Sequence, residues 1–191
     1  RIHGSRDYFR IEARRDKNIK TSLTFDIIPV LKIYKPSEAK NVTDLSYFHV
    51  HYVKKNMRNV DLEREVGLAK VFCKANGVYG AESYIHGFSG YALECLIIYY
   101  KSFLNFLREI SKAKYKIIID PEKHYRNKGE IEISLNESKL KSPIVLIDPT
   151  FKERNVLAAL NDESFLRFKN AASSFLKKPS GSPVVKSSMN F

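Results

Sequence analysis

Residues 70–91, with the sequence KVFCKANGVYGAESYIHGFSGY, determine the central part of the predicted fold. Apolar residues recur at the spacing of an amphipathic helix from Leu62 into the first part of this stretch. This helix is predicted to end at Asn76-Gly77, because glycine readily adopts the backbone of a helix C-cap. Ser89 is a suitable N-cap for a second helix over residues 90–109. Since that helix is apolar on nearly every side, we expect other elements to enclose it.

Two β-rich segments precede this region. Residues 8–13 and 22–34 are rich in β-branched and aromatic side chains, and a charged stretch separates them, which predicts two strands joined by an exposed turn. Within the second segment, the two-residue period of a strand places Asp26 opposite Phe25 and Ile27. A lone carboxylate among apolar strand residues is a candidate functional group. Asp44 is predicted to N-cap a short helix that extends to about Val53.

The pattern changes after residue 112. Three short β-rich runs, residues 116–120, 131–135 and 144–148, are separated by turn residues and predict strands. Asn161 then begins an amphipathic helix, so this part of the chain is predicted to be an α+β layer. Residues 179–191 are rich in serine, proline and glycine and are predicted to form a flexible tail.

Composition limits the classes of function. The chain has 191 residues, a net charge of +12 and a pI near 9.6, so an anionic partner is expected, with nucleic acid as the first candidate and a solvated basic face as the alternative. Cys73 and Cys95 each lie in an apolar helical pattern and outside any Cys/His pair, which predicts buried thiols, not a zinc site or a disulfide. Charged residues interrupt the longest apolar stretch, so no membrane span is predicted, and a cytoplasmic location is expected.

Four sequence blocks together resemble a known family. They are FDIIP at residues 25–29, DLSYFH at 44–49, KANGVYGAE at 74–82 continued by GFSGY at 87–91, and DPTFKERNV at 148–156. In this order and spacing they resemble the archaeal (class I) tRNA CCA-adding enzymes, over about residues 7–178. KANGVYGAE is the distinctive block. The resemblance implies an enzyme that adds CCA to the 3′ end of tRNA from CTP and ATP without a template, releasing pyrophosphate.

The resemblance also implies a domain organisation within an α+β fold. Residues 1–44 would be the end of a nucleotidyltransferase palm sheet. Residues 45–112 would form a helical neck like the substrate-binding helices of poly(A) polymerases and oligoadenylate synthases. Residues 113–178 would form a small α+β body that binds RNA, with tRNA as the partner, followed by the tail.

Asp26 matches the third catalytic carboxylate of that family. Nucleotidyl transfer uses two divalent cations, and Mg²⁺ prefers carboxylate oxygens, so the resemblance implies Mg²⁺ as cofactor and Asp26 as one of its ligands. The alternative is a strand-end acid paired with a nearby lysine or arginine. The family's first two carboxylates follow a Gly-Ser motif, and no acid-x-acid pair precedes Asp26 in this sequence. The segment alone is therefore expected to be inactive, and an N-terminal lobe is expected in cis or in trans.

The remaining site residues also come from the resemblance. Five of them match the family's contacts to the nucleotide and its triphosphate, and a sixth matches an arginine near the incoming base: Ser46, His49, Lys70, Tyr79 and Ser89, then Arg154. Two alternatives stay open, a solvated helix lysine for Lys70 and a surface salt bridge with Glu153 or another neighbour for Arg154. His51 is two residues from His49, and on a helix such residues point to different faces, which disfavours a zinc pair. Glu94, inside the apolar helix, is interpreted as a structural acid that needs a cation or hydrogen bonds.

Other functions remain in competition with this assignment. A non-catalytic tRNA-binding module, or one half of a split CCA-adding enzyme, explains the absent carboxylates directly. A related poly(A) polymerase or oligoadenylate synthase would share the helical neck, but the KANGVYGAE block favours the CCA-adding enzymes. Where that family has R-T-P-F-H, this chain has Leu45-Ser46-Tyr47-Phe48-His49, which removes one arginine that could contact phosphate. A homodimer is a possible assembly.

Overall fold

The computed structural model describes residues 8–14, 22–58 and 60–179. The chain forms two compact units, residues 1–48 and 49–191. The predicted tail lies outside the described residues from residue 180 onward. No helix in the three described ranges has both the length and the apolar composition to cross a membrane.

The first unit contains a β-hairpin. Strands β1 (Phe9–Arg14) and β2 (Ser22–Ile27) pair antiparallel, as the sequence predicts. β2 ends at Ile27 and not at residue 34, because Pro29 follows and cannot donate to a strand ladder. The register pairs Phe9 with Ile27 and Ile11 with Phe25, so one face of the hairpin is apolar.

Asp44 does not N-cap a helix that follows it. Its buried carboxylate instead accepts hydrogen bonds from the backbone amides of Leu31, Lys40 and Asn41 at 2.9–3.1 Å. Asn41 is the N-cap of a short 3₁₀ helix, Val42–Leu45, and α1 follows directly at Ser46–Asn56. The predicted helix is therefore present, and Asp44 stabilises the loop before it.

The second unit is built around four helices. α2 (Val60–Ala75), α3 (Gly90–Tyr100), α4 (Phe103–Lys112) and α7 (Asp162–Lys177) pack around a buried aromatic cluster. The Phe168 ring lies at its centre, 4.8 Å from that of Phe88 and 5.2 Å from that of Phe106. As predicted, Asn161 is the N-cap of α7, where its side chain accepts from the Ser164 amide.

One predicted helix is two. The sequence suggests a continuous helix over residues 90–109, but α3 ends at Tyr100 and α4 begins at Phe103. Lys101 adopts a left-handed backbone with φ +67°, and the Ser102 side chain caps α4 by accepting from the Asn105 amide. A left-handed non-glycine residue is uncommon, so apolar spacing alone did not reveal the break.

A small mixed sheet completes the second unit. β3 (Ile117–Ile119) pairs parallel with β4 (Ile144–Asp148), which pairs antiparallel with β5 (Phe151–Asn155). All five residues of β4 are buried. The helices α5 (Lys128–Ser134) and α6 (Glu137–Leu140) lie between β3 and β4 in the chain. Buried side chains of β3 and β4 join the same core cluster as the helices, so the predicted neck and body share one core. Their separate functional roles stay a prediction.

The run at residues 131–135 is not a strand. It belongs mostly to α5, where the Asn127 side chain accepts from the Glu130 amide as an N-cap. That cap and an acid in the first helical turn favour the helix, and they outweigh the β-propensity of the isoleucines. Ile131 packs with Leu135 and with β4 residues in a second, smaller cluster.

A glycine inside α2 and a glycine just after it give a matched test of backbone conformation. Gly77 follows the helix with φ +65°, whereas Gly67 is exposed inside it with nothing within 4 Å of a Cβ position. Gly77→Ala is expected to destabilise the chain by about 1 kcal/mol, because a side chain strains the left-handed backbone. Gly67→Ala is expected to stabilise it by about 0.5–1 kcal/mol. Urea unfolding checks both values, and equal effects of the same sign would contradict this account.

Candidate functional site

Three predicted nucleotide contacts meet at the start of α3. Ser89 is the N-cap of this helix, and its hydroxyl oxygen accepts from the Ala92 amide at 3.2 Å. A Cβ placed on Gly90 would lie 3.2 Å from the Tyr79 hydroxyl oxygen and 4.0 Å from the Lys70 Nζ. Lys70, Tyr79 and Ser89 therefore surround one helix N-terminus, where partial positive charge and free amides favour a bound anion.

The loop between α2 and α3 holds these residues in register. Tyr79 and Phe88 form a parallel β-bridge, with the Phe88 amide donating to the Val78 carbonyl at 2.8 Å and the Gly80 amide to the Phe88 carbonyl at 2.9 Å. A side chain at Gly87 would collide with the Val78 carbonyl, so the close approach of the two segments requires glycine. The glycines of the KANGVYGAE and GFSGY blocks thus shape the loop that presents Tyr79 and Ser89.

Lys70 forms an ion pair with Glu94. Its Nζ donates to the Glu94 Oε1 at 2.7 Å, and both side chains are partly exposed. Glu94 therefore has a cationic partner, as expected of a structural acid. The Lys74 ammonium lies 5.0 Å from the centre of the Tyr79 ring, which adds a second positive charge beside the tyrosine.

A second group of predicted nucleotide contacts meets at Asp148, a residue to which the sequence assigns no role. His49 and Arg154 both bind Asp148, the last residue of β4. His49 Nε2 lies 3.0 Å from Asp148 Oδ2, and Arg154 Nη1 donates to the same oxygen at 2.7 Å. The salt bridge considered for Arg154 is thus present, with buried Asp148 and not with Glu153.

Tyr91 and Thr150 complete the surroundings of Asp148. The Tyr91 hydroxyl donates to Asp148 Oδ1 at 3.1 Å, and the Thr150 amide and hydroxyl donate to it at 2.8 Å. The Tyr91 ring also stacks on the His49 imidazole, with ring centres 3.9 Å apart. In the sequence, only the spacing of Asp148 and Arg154 within one block pointed to this network.

The pKa values of Asp148 and its neighbours follow from burial and from nearby charges. Burial acts to raise the pKa of Asp148, but the hydrogen bond and charge of His49, the Thr150 amide and the charge of Arg154 together hold it well below its usual range. Burial, with smaller contributions from Cys95 and Asp148, raises the pKa of Tyr91, which stays a neutral donor. Burial also raises the pKa of the Cys73 and Cys95 thiols, which are both buried as predicted.

Asp148 makes the stability of the chain sensitive to acid. Because its folded-state pKa lies below the ordinary value of about 3.9, its stabilisation is complete above about pH 5 and is lost as the pH falls through the folded-state value. Asp148→Asn is expected to cost about 2–3 kcal/mol at pH 6. In urea unfolding, the difference between wild type and variant should shrink between pH 5 and pH 3. A constant difference would contradict the assignment.

Asp26 and Ser46 lie in the first unit. Asp26 is exposed on β2, and Arg10 donates to it in a two-pronged ion pair, from Nε to Oδ1 at 2.8 Å and from Nη2 to Oδ2 at 3.0 Å. This ion pair lowers the pKa of Asp26. A strand-end acid paired with an arginine is the alternative to metal binding that the sequence predicts. The Ser46 hydroxyl donates to the Thr43 carbonyl at 2.6 Å, as part of the turn into α1.

The carboxylates of the described residues fit only part of a two-metal centre. Across residues 8–14, 22–58 and 60–179, no three His, Cys, Asp or Glu side chains cluster closely enough to hold a metal ion. Asp26 offers oxygen ligands of the type that Mg²⁺ prefers, but it is a single carboxylate and Arg10 occupies both its oxygens. It fits one ligand position and not a complete site.

Comparison with protein families shows to which family this chain belongs. Residues 64–184 match the family model described as tRNA nucleotidyltransferase, second domain. The chain belongs to this family. The match covers α3 with its N-terminal site, α7, and Asp148 with Tyr91, Thr150 and Arg154, whereas His49 lies before the matched residues. The resemblance stated from the four sequence blocks is confirmed, as is the α+β fold.

Individual relatives of this chain are archaeal proteins named CCA-adding enzyme. The relative from Nanoarchaeum equitans is 46% identical over 165 residues, which make up 86% of this chain and 40% of that protein. That from Saccharolobus islandicus strain M.14.25 is 37% identical over 81% of this chain and 34% of the relative. That from Thermoplasma acidophilum is 36% identical over 81% of this chain and 32% of the relative. The chain thus spans two-fifths or less of the length of these relatives.

Proposed function

We propose that this chain provides the nucleotide-binding and tRNA-binding part of a CCA-adding enzyme. In the proposed reaction, the 3′-hydroxyl of tRNA attacks the α-phosphate of CTP or ATP, an O–P bond forms, and pyrophosphate leaves. The observation that carries the proposal is the convergence of Lys70, Tyr79 and Ser89 on the N-terminus of α3, in a chain 46% identical to a CCA-adding enzyme.

The N-terminus of α3 is suited to bind a triphosphate for simple electrostatic reasons. Backbone amides of the first helical turn have no partner within the helix, and the helix dipole adds positive charge there. Lys70 supplies an ammonium group, and Tyr79 supplies a hydroxyl donor. None of these groups reads a base, so they suit CTP and ATP equally. Arg154 is the candidate for contact with the base, since a guanidinium can donate to two acceptors in one plane.

The proposal for Asp26 is narrower. We assign it one ligand position for Mg²⁺, which when bound would activate the attacking hydroxyl and hold the triphosphate. The other ligands would come from outside the described residues, because these hold no further carboxylate cluster. Arg10 must release Asp26 for this role, and both side chains are solvent-accessible.

The exposed apolar face of the hairpin in the first unit supports the proposal that a further lobe packs against it. The side chains of its apolar face are about half exposed in the described part of the chain, namely Phe9, Ile11, Leu23, Phe25 and Ile27. An isolated two-stranded ribbon with such a face is marginally stable in water. We assign this face to packing against a further part of a nucleotidyltransferase head, in cis or in trans, which would also bring the other carboxylates.

The basic character of the chain supports tRNA as the polymer substrate. A net charge of +12 favours association with phosphates, and shape-dependent contacts to a folded RNA stem need no base-specific side chains. The runner-up function, a tRNA-binding module without chemistry, uses the same charge but predicts no specific binding of CTP or ATP.

Incorporation of labelled nucleotide tests the proposed function. tRNA lacking its 3′ CCA is incubated with labelled CTP or ATP, Mg²⁺ and this chain, alone and with the amino-terminal part of the Nanoarchaeum equitans relative. We expect incorporation in the complemented mixture. The corresponding carboxyl-terminal part of that relative serves as the positive control. Incorporation with the control part but none with this chain would overturn the enzymatic proposal and favour the binding module.

A further inference from the structure

The Asp148 carboxylate is the point at which three separate elements of the second unit meet. His49 belongs to α1, Tyr91 to α3 and Arg154 to β5, and all three bind this one buried side chain. The exposed fraction of the Asp148 side chain is 0%, against 12% for His49 and 25% for Arg154. The carboxylate is therefore shielded, while the two cationic or polar groups that it holds reach the surface.

The two oxygens of Asp148 have different tasks. Oδ1 accepts from Tyr91 and twice from Thr150, which fixes the carboxylate against its own turn and against α3. Among the residues that the structure describes, Oδ2 binds His49 and Arg154 alone, the two groups matched to nucleotide contacts. Because they share one oxygen, their positions relative to each other depend on that atom.

The contacts also determine which atoms remain for a ligand. His49 Nε2 is turned to Asp148, so a ligand that contacts this imidazole must do so through Nδ1. Arg154 uses Nη1 for Asp148, and its Nε and Nη2 make no hydrogen bond to any residue that the structure describes. Because an ionised carboxylate only accepts hydrogen bonds, this contact requires a proton on His49 Nε2.

We propose that Asp148 is a positioning residue for nucleotide binding, which orients the His49 imidazole and the Arg154 guanidinium toward the incoming nucleotide. The inference rests on the proposed function, since it assigns these two groups to a nucleotide. Asp148 itself touches no ligand in this account. Without its charge, the imidazole and the guanidinium lose their common anchor, although Tyr91 still stacks on the ring.

A coupled set of variants tests the proposal in the chain itself. Binding of CTP and of ATP, each with Mg²⁺, is measured by calorimetry for wild type, Asp148→Asn, His49→Ala/Arg154→Ala, and the triple variant. We expect Asp148→Asn to weaken binding about 10- to 100-fold in the wild-type background. In the background without His49 and Arg154, the same change should alter binding less than about twofold, because a positioning residue acts through the groups that it holds.

A ligand-free measurement separates positioning from the binding of nucleotide. Nitrogen-15 spectra of the imidazole should show the His49 proton on Nε2 in wild type and a changed tautomer population in Asp148→Asn. Phe168→Leu, a core change at a residue outside the Asp148 network, is the control for lowered stability and should leave the imidazole spectrum near that of the wild type.

The outcomes distinguish this inference from the proposed function. An unchanged imidazole spectrum in Asp148→Asn, an equal loss of affinity in both backgrounds, or a loss no larger than that of Phe168→Leu would each overturn the positioning role while nucleotide binding stands. If the wild-type chain binds neither CTP nor ATP while its imidazole spectrum shows the Nε2 proton, the proposed function fails and this inference fails with it. A coupled loss of affinity together with the tautomer change supports both.

Discussion

Replacing Lys70 by Ala is expected to weaken the binding of CTP and of ATP by the same factor, roughly 10- to 100-fold. The ammonium lies beside the N-terminus of α3, next to the Tyr79 hydroxyl, where a phosphate would take a charge-assisted hydrogen bond. Such a bond contributes about 1.5–3 kcal/mol, and each 1.4 kcal/mol is a factor of ten in affinity. The triphosphate is common to both nucleotides, so the variant should not alter the preference between them.

Two further variants make the Lys70 measurement specific. Arg64→Ala removes a positive charge at an exposed position of the same helix, where the arginine forms an ion pair with Asp61, and it should change affinity less than about twofold. Lys70→Ala/Glu94→Gln removes the carboxylate that would otherwise face the phosphates alone, and it should recover part of the loss. Equal losses in Arg64→Ala and Lys70→Ala would mean that general charge, and not this site, governs binding.

Replacing Phe168 by Ala is expected to cost about 3–5 kcal/mol of the free energy of unfolding. The ring is fully buried and contacts Phe72, Phe88 and Phe106, which belong to α2, to the segment before α3 and to α4. Removing it leaves a cavity where the helices meet, and the surrounding aromatic rings collapse into it only in part. At this chain length the loss corresponds to a fall in Tm of roughly 10 °C.

Circular dichroism during heating checks the Phe168 prediction. Leu166→Ala, on the same helix but with an exposed side chain, is the matched control and should change stability by less than about 0.5 kcal/mol. Because neck and body side chains share one core, the helical signal of the second unit should be lost in a single transition that moves to lower temperature. A Tm within a degree of wild type would contradict this central role of Phe168.

Local sequence signals predicted much of the fold correctly. Ser89 and Asn161 cap the helices that they were expected to cap, and Gly77 ends α2 in a left-handed backbone. These features succeed because a cap depends on residues within one helical turn. The hairpin and the strands at residues 117–119 and 144–148 follow in the same way from short runs of β-branched residues between turns.

The errors arose where one local preference opposed another. The isoleucines of residues 131–135 favour a strand, but the Asn127 cap decides for a helix. The apolar run of residues 90–109 has helical spacing throughout, and yet Lys101 and Ser102 divide it. In both places the sequence contains the capping side chain. It does not show whether the cap or the pattern of apolar residues has the stronger effect.

The site could be predicted in part only. Resemblance to the family selected Lys70, Tyr79 and Ser89, which the structure brings together, and His49 and Arg154, which it joins through Asp148. Asp148 and Glu94 were not assigned to the site, because their partners are distant in the chain and spacing carries no information about them. The roles of Asp26 and Ser46, the Mg²⁺ cofactor, a homodimer and a cytoplasmic location stay predictions.

The most direct test of the account is a map of backbone amide shifts as CTP with Mg²⁺ is added to the nitrogen-15-labelled chain. We predict the largest shifts at the amides of Gly90 and Tyr91, at the start of α3, with further changes near Tyr79 and Arg154, and the same pattern for ATP. Saturable shifts confined to other surfaces, or none at millimolar nucleotide, would contradict a triphosphate site at this helix N-terminus.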